Sequence, residues 1–199
     1  MNPHIKKSIP VRKLVVTAML AALSSVLMML SFSVPFVPSF LKLDFSELPA
    51  LLASFTFGPV YGILVCLVKN LVNVFFTTTG GIGELANFLL GTLFVLPAGL
   101  IYKQHRTLKG AVTGALVGNT AMAIISLPVN YFLTYPIYMK FLSEEAILGM
   151  YKAIYPGTDT LIEALTIFNI PFTFVKGLFS VIITFLIYKR ISPLLKGRK

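Results

Sequence analysis

Two lysines, Lys69 and Lys176, lie inside long apolar stretches, and each has amide or hydroxyl side chains within one helical turn. An ionised side chain at bilayer depth costs a few kcal/mol on insertion scales, so it faces protein or a polar cavity and serves a purpose there. Asn70 and Asn73 follow Lys69, while Asn169 and Thr173 precede Lys176. Stripes of this kind suit the holding of a polar solute.

Catalytic chemistry has no such footprint. The chain carries no HExxH, no GxSxG, no acidic pair at fixed helical spacing and no GxxxxGK[ST] phosphate loop. Gly80, Gly81 and Gly83 form a glycine-rich stretch, but Glu84 follows where a phosphate cradle needs a lysine and a hydroxyl. It reads as a flexible outer turn. The single cysteine, Cys66, sits within an apolar run, so neither a disulfide framework nor a thiol metal site is expected. Both histidines, His4 and His105, fall in basic segments. No catalytic residue, metal or cofactor is expected, and a membrane-embedded enzyme is the competing reading.

The elements that position these residues are set by composition. Of 199 residues, 56% are hydrophobic and 12% charged, more apolar surface than a soluble domain of this size can hide. A bilayer crossing needs about 20 apolar residues, and polar punctuation divides the chain into runs at 11–32, 45–57, 58–77, 85–102, 110–138 and 161–188. The expectation is an all-α integral membrane protein, a single domain over 1–199 with six transmembrane helices. The first run reads as a retained helix, being longer than a signal-peptide core and lacking a small-residue cleavage pattern. Gly58-Pro59 reads as a tight turn between the second and third runs.

Lys and Arg distribution gives the orientation, because cytoplasmic loops are richer in both. Lys6, Lys7, Arg12 and Lys13 precede or open the first run, Lys103, Arg106 and Lys109 follow the fourth, and Lys189, Arg190, Lys196, Arg198 and Lys199 follow the sixth. Lys42, Lys140 and Lys152 fall on the opposite side. Both termini are therefore expected in the cytoplasm, as an N-terminal tail (1–10) and a basic C-terminal tail (192–199). The net charge of +10 then meets anionic membrane lipid, and no nucleic-acid module accompanies it.

Under this topology polar side chains converge in the outer half of the bundle. Asp44 and Glu47 open the second helix, Glu84 and Asn87 the fourth, Asn130 and Tyr131 lie at the outer end of the fifth, and Asn169, Thr173 and Lys176 descend along the sixth. Phe36, Phe40, Phe45, Tyr131, Phe132, Tyr135 and Phe172 cluster nearby, so a flat ring has partners. Amides, a hydroxyl and one cation suit an uncharged or weakly polar solute. Each residue also has a plainer reading, Asn as interhelical glue and Phe or Tyr as interface anchors. Lys69 and Asn70 read as structural, with Lys69 reaching backbone carbonyls of a neighbouring helix end. Lys176 is the better ligand candidate, on a helix broken locally by Pro171.

The stretch Leu43-Asp44-Phe45-Ser46-Glu47-Leu48-Pro49-Ala50-Leu51-Leu52, continuing through Phe55-Thr56-Phe57-Gly58-Pro59 and Gly62 to Lys69-Asn70, resembles the riboflavin-specific S components (the RibU family) of energy-coupling factor (ECF) transporters. Asn130-Tyr131-Phe132, Pro171-Phe172 and Lys176-Gly177 resemble them too. The resemblance implies capture of riboflavin, as substrate and not cofactor, at the outer face of a bacterial plasma membrane. It also implies docking on a transmembrane coupling subunit and two ATPase subunits, with Ala18 and Ala22 matching the alanine motif that contacts the coupling subunit. Small residues four apart do let a second helix approach closely. By the same resemblance Asn130 and Lys176 belong to the flavin pocket, joined as expected ligand residues by Thr173, Asn87, Asp44, Phe40 and Tyr131. Thr173 departs from an asparagine in relatives, exchanging a paired amide for a hydroxyl. The segment 34–42, stiffened by Pro35 and Pro38, resembles the loop that closes over bound vitamin. An S component for another vitamin is the alternative within the same scaffold.

Overall fold

Where lipid surrounds a chain, every backbone N–H and C=O must find a partner within the protein, and helices meet that demand segment by segment. A computed structural model of the protein, describing residues 11–77 and 80–196 with side chains to residue 188, is accordingly almost all helix. The helices are α1 (Val11–Met29), α2 (Glu47–Phe57), α3 (Pro59–Val74), α4 (Ile82–Gln104), α5 (Leu108–Val129), α6 (Tyr135–Tyr138), α7 (Glu144–Lys152), α8 (Leu161–Ala164) and α9 (Ile170–Lys196). Strands β1 (Phe32–Ser33) and β2 (Lys42–Leu43) pair antiparallel and clasp the loop between α1 and α2.

Among the described residues four helical stretches are long and apolar enough to cross a membrane: Val11–Met29, Ile82–Gln104, Leu108–Tyr138 and Leu161–Tyr188. Two shorter apolar helices, Glu47–Phe57 and Pro59–Val74, complete the bundle. The 11 residues of α2 reach only about 16 Å at 1.5 Å per residue. α2 is nonetheless the hub, buried from Glu47 through Phe55 and packed against α1, α3, α4 and α9. A helix apolar on every side can sit only inside other helices.

Local breaks follow the residues that cause them. Gly58 takes φ 112° at the α2–α3 junction, a conformation that disfavours any side chain, and Pro59 opens α3 without needing an N–H partner. The first helix stops at Met29, short of the expected Phe32, because Phe32 is drawn into the β1–β2 pair. The fourth begins at Ile82, earlier than expected, since Gly81 in the left-handed region caps it and admits Glu84 to the first turn. The expected tail 1–10, with His4, Lys6 and Lys7, lies outside the described residues, as do residues 197–199 of the basic tail.

The two long C-terminal stretches are continuous through π-helical turns at Asn130–Thr134 and Leu165–Asn169. Each π turn ends two residues before a proline, Pro136 and Pro171. A proline has no N–H to return to the carbonyl one turn back, so the ladder is already open there and widens at little cost. The expected break at Pro171 is therefore corrected: the helix bulges and runs on.

Candidate functional site

One cavity of about 930 Å³ lies at one end of the bundle, lined from the clasped loop (Phe40, Leu41, Lys42, Asp44) and from α1, α2, α3, α4, α5, α7 and α9. Its size falls within the range of small-molecule sites. Met28, Leu90, Met122, Phe172, Tyr135 and Tyr138 give it apolar and aromatic walls. Asn87, Asn130, Asn169, Thr173 and Lys176 bring polar groups to it from three helical stretches.

Lys42 and Glu84 stand among its lining residues, and two of its lining carboxylates, Asp44 and Glu47, are each paired with a lysine. Lys176 Nζ donates to Asp44 Oδ2 at 2.7 Å across the cavity wall, with the lysine side chain 14% exposed. Asp44 is fixed in turn by the Ser46 N–H, which donates to Oδ1 at 2.8 Å. Deeper, Lys69 Nζ donates to Glu47 Oε1 at 2.6 Å and to Ser46 Oγ at 2.7 Å, and both members of that ion pair are fully buried. Ser24 Oγ donates to the Ser46 carbonyl, and Cys66 Sγ lies 3.8 Å from Glu47 Oε2. The run from Asp44 to Glu47 thus receives both intramembrane lysines, and each cation is neutralised by its own carboxylate. A charged group placed against these two buried pairs would have to be desolvated without a free counter-charge there, whereas one offering only hydrogen-bonding edges would not.

The π turns put the amides in place. A π turn changes the angular step along a helix, so Asn130 at the start of one and Asn169 at the end of the other are turned to the cavity. Asn130 and Thr173, both in the cavity lining, make no side-chain hydrogen bond to a described residue. Among the described residues Asn87 Nδ2 meets the Met28 sulfur, at 3.7 Å.

Of the residues expected at a ligand site, Asn130, Lys176, Thr173, Asn87, Asp44 and Phe40 line this one cavity. Tyr131 does not; its ring packs edge-on against Phe132, 5.0 Å between centroids. Phe36 and Phe132, at 86% and 75% exposed, turn outward, and Phe45 packs against Phe32. Lys69 meets Glu47 and Ser46 where backbone carbonyls were expected, because α2 begins directly beside it and offers a carboxylate. Asn70 donates locally to the Cys66 carbonyl at 2.7 Å. Ala18 and Ala22 lie on the exposed face of α1, opposite the buried Leu20, Ala21, Ser24 and Ser25.

Sequence reasoning missed α7, whose Ile147 and Met150 close part of the cavity. The signal was present: Ser143 caps the helix by accepting from the Ala146 N–H, Glu144 and Glu145 fill the first turn, and Ile147 and Tyr151 stand four apart on the buried face. It also passed over Phe76 and Tyr138 as cavity walls.

Comparison with known proteins is consistent in one direction. The family model described as "ECF transporter, substrate-specific component" matches residues 12–188. The chain is 39% identical over 185 residues to "Riboflavin transporter RibU" of Staphylococcus aureus (strain TCH60), covering 93% of each. It is 33% identical over 193 residues to "Riboflavin transporter FmnP" of Bacillus subtilis (strain 168), covering 95% of this chain and 96% of that one. Its fold is similar to a solved structure described as "Structure and mechanism of the S component of a bacterial ECF transporter", with TM-score 0.73, 39% identity and coverage of 92% of this chain and 97% of that chain.

Proposed function

Because the chain belongs to the family of ECF transporter substrate-specific components, we propose that its cavity takes riboflavin from outside the cell and presents it to a shared energising module. The protein is a transport component and not an enzyme, a multi-pass protein of the bacterial cell membrane. The observation that carries the riboflavin reading is the cavity itself: aromatic and methionine walls, amide and hydroxyl groups at Asn130 and Thr173 without a partner among the described residues, and an inner ion pair, Lys176–Asp44. A flat, neutral ring system with a polar edge and a polyhydroxyl tail answers each of those features. In this reading the ring packs among Phe40, Tyr135 and Phe172, its polar edge meets Lys176 and Asn130, and the ribityl hydroxyls meet Asn87. Riboflavin is cargo throughout, and no cofactor takes part.

The six-crossing topology with both termini in the cytoplasm belongs to this proposal, as does the single domain over residues 1–199. Support comes from the four long apolar stretches and from the positions of Lys and Arg along the sequence, with α2 and α3 joined at Gly58 as the remaining pair. Cys66, fully buried, leaves a quiet background for single-cysteine labelling from either side of the membrane. Docking is assigned to the open face of α1 at Ala18 and Ala22, where a coupling subunit driven by two ATPase subunits would pack. Purified protein titrated with riboflavin should quench flavin fluorescence to a saturating endpoint, and excess thiamine or biotin should leave that quench in place. Folded protein that gives no quench, or whose quench thiamine or biotin reverses, rules the riboflavin reading out.

A further inference from the structure

Asn169 is gripped by two tyrosines whose hydroxyls the proposed flavin contacts leave unused. Tyr151 Oη donates to Asn169 Oδ1 at 2.8 Å, and Tyr135 Oη meets Tyr151 Oη. All three side chains are buried, at 0%, 2% and 1% exposure for Tyr151, Asn169 and Tyr135. Phe40 stands edge-on to both rings, with centroids 6.4 Å from Tyr135 and 5.7 Å from Tyr151. Three elements are thereby tied together: Tyr135 from α6, Tyr151 from the cap helix α7, and Asn169 from the π turn ahead of α9.

Proton accounting sets the direction of this chain. A carboxamide oxygen only accepts, so the single Tyr151 proton is committed to Asn169 and Tyr151 receives its own bond from Tyr135. With the amide reversed, Nδ2 would donate toward the tyrosines, and one of the two hydroxyl protons would be left without an acceptor within this group of three side chains. A buried donor without an acceptor is expensive. With Oδ1 held by Tyr151, the two Nδ2 protons point away from the tyrosines. They meet no described residue, and Asn169 lines the cavity.

We propose that Tyr151, backed by Tyr135, is a positioning residue that locks the Asn169 amide with its N–H pair facing the cavity, so that the site demands a hydrogen-bond acceptor on its ligand. The inference rests on the riboflavin reading, and the acceptor it names is a carbonyl oxygen or unprotonated ring nitrogen on the isoalloxazine edge. It also gives α7 a share in recognition: the helix that caps the cavity carries the hydroxyl that sets the amide.

The test is a double-mutant cycle on the full-length protein, with riboflavin affinity read by fluorescence quenching and folding checked by thermal melting without ligand. Tyr151→Phe keeps the ring and removes the proton, and should weaken binding roughly 3- to 10-fold, the span of one hydrogen bond. Asn169→Ala should weaken it by about tenfold, and adding Tyr151→Phe to that background should cost nothing more, because the two act through one contact. Asn169→Asp places oxygen where the N–H pair stood and should bind no better than Asn169→Ala. Full affinity in Tyr151→Phe, an additive loss in the double variant, or retained affinity in Asn169→Asp would each overturn the assignment. If Tyr151→Phe does not fold, Tyr135→Phe takes its place in the same cycle with the same expected non-additivity. Wild-type protein that binds no riboflavin fails earlier, sinking the cargo reading and this inference with it, while a binding wild type with an unaffected Tyr151→Phe sinks the inference alone.

Discussion

Lys69→Met leaves the Glu47 carboxylate inside the bundle without its cation. Lys69 and Glu47 are 0% and 1% exposed and 2.6 Å apart, so each relies on the other more than on solvent. The remaining contacts to Glu47 are slight, a thiol at 3.8 Å and the close passage of Gly91, where an added Cβ would stand 2.9 Å from Oε2. Breaking a buried pair from one side costs about 3–5 kcal/mol, because the stranded charge must be protonated or hydrated in place. Glu47→Gln in the Lys69→Met background removes that charge with little change of shape, and should recover a large part of the loss. The coupling between the two substitutions should therefore be of the order of the single-variant penalty and opposite in sign. Thermal melts in detergent without ligand provide the assay. A single Lys69→Met variant as stable as wild type, or a double variant less stable than either single, would refute the view that this pair is a mutual neutralisation.

Lys176→Ala and Asn130→Ala should each weaken riboflavin binding, by roughly 10-fold or more for the charged partner and several-fold for the amide, measured by flavin quenching. Ala18→Trp, on the exposed face of α1, should leave riboflavin affinity unchanged and abolish cellular uptake; uptake that survives would refute the docking assignment. Gly177→Ala should destabilise the fold by about 1–3 kcal/mol, since its Cβ would overlap Asn119 Oδ1 and stand 2.7 Å from the Met122 methyl where α9 crosses α5. A lowered melting point with unchanged expression checks it.

Helix positions were largely legible in the sequence, because the apolar runs and their Gly-Pro punctuation are one-dimensional signals. The Gly58-Pro59 junction shows this well: positive φ and a missing N–H are properties of those two residues wherever they stand. The two intramembrane lysines were legible for the same reason, a charge in an apolar run being visible without any fold. Their partners were not. Lys176 and Asp44 lie 132 positions apart, and only the packing of α2 between α1 and α9 brings the carboxylate to the amine.

The amides tell a similar story. Asn169 and Asn130 look alike in sequence, each shortly before a proline, and helical periodicity alone would aim both by a regular 3.6-residue step. The π turns alter that step, so which face each amide takes is decided by a local widening that the period does not contain. Tyr131 shows the opposite outcome, sitting beside Asn130 yet packing on Phe132 away from the cavity. The short helix α7 was hidden for a different reason: at nine residues it is far shorter than a membrane-crossing run, so a division of the chain by long apolar stretches passes over it despite its cap and apolar face. Its Tyr151 is nevertheless the hydroxyl that holds Asn169.

A structure of the protein with riboflavin bound tests the central claim most directly. The flavin ring should lie in the 930 Å³ cavity among Phe40, Tyr135 and Phe172, with its polar edge within hydrogen-bonding distance of Lys176 and Asn130. A ring found elsewhere, or seated in that cavity with its polar edge turned away from both residues, would contradict the account.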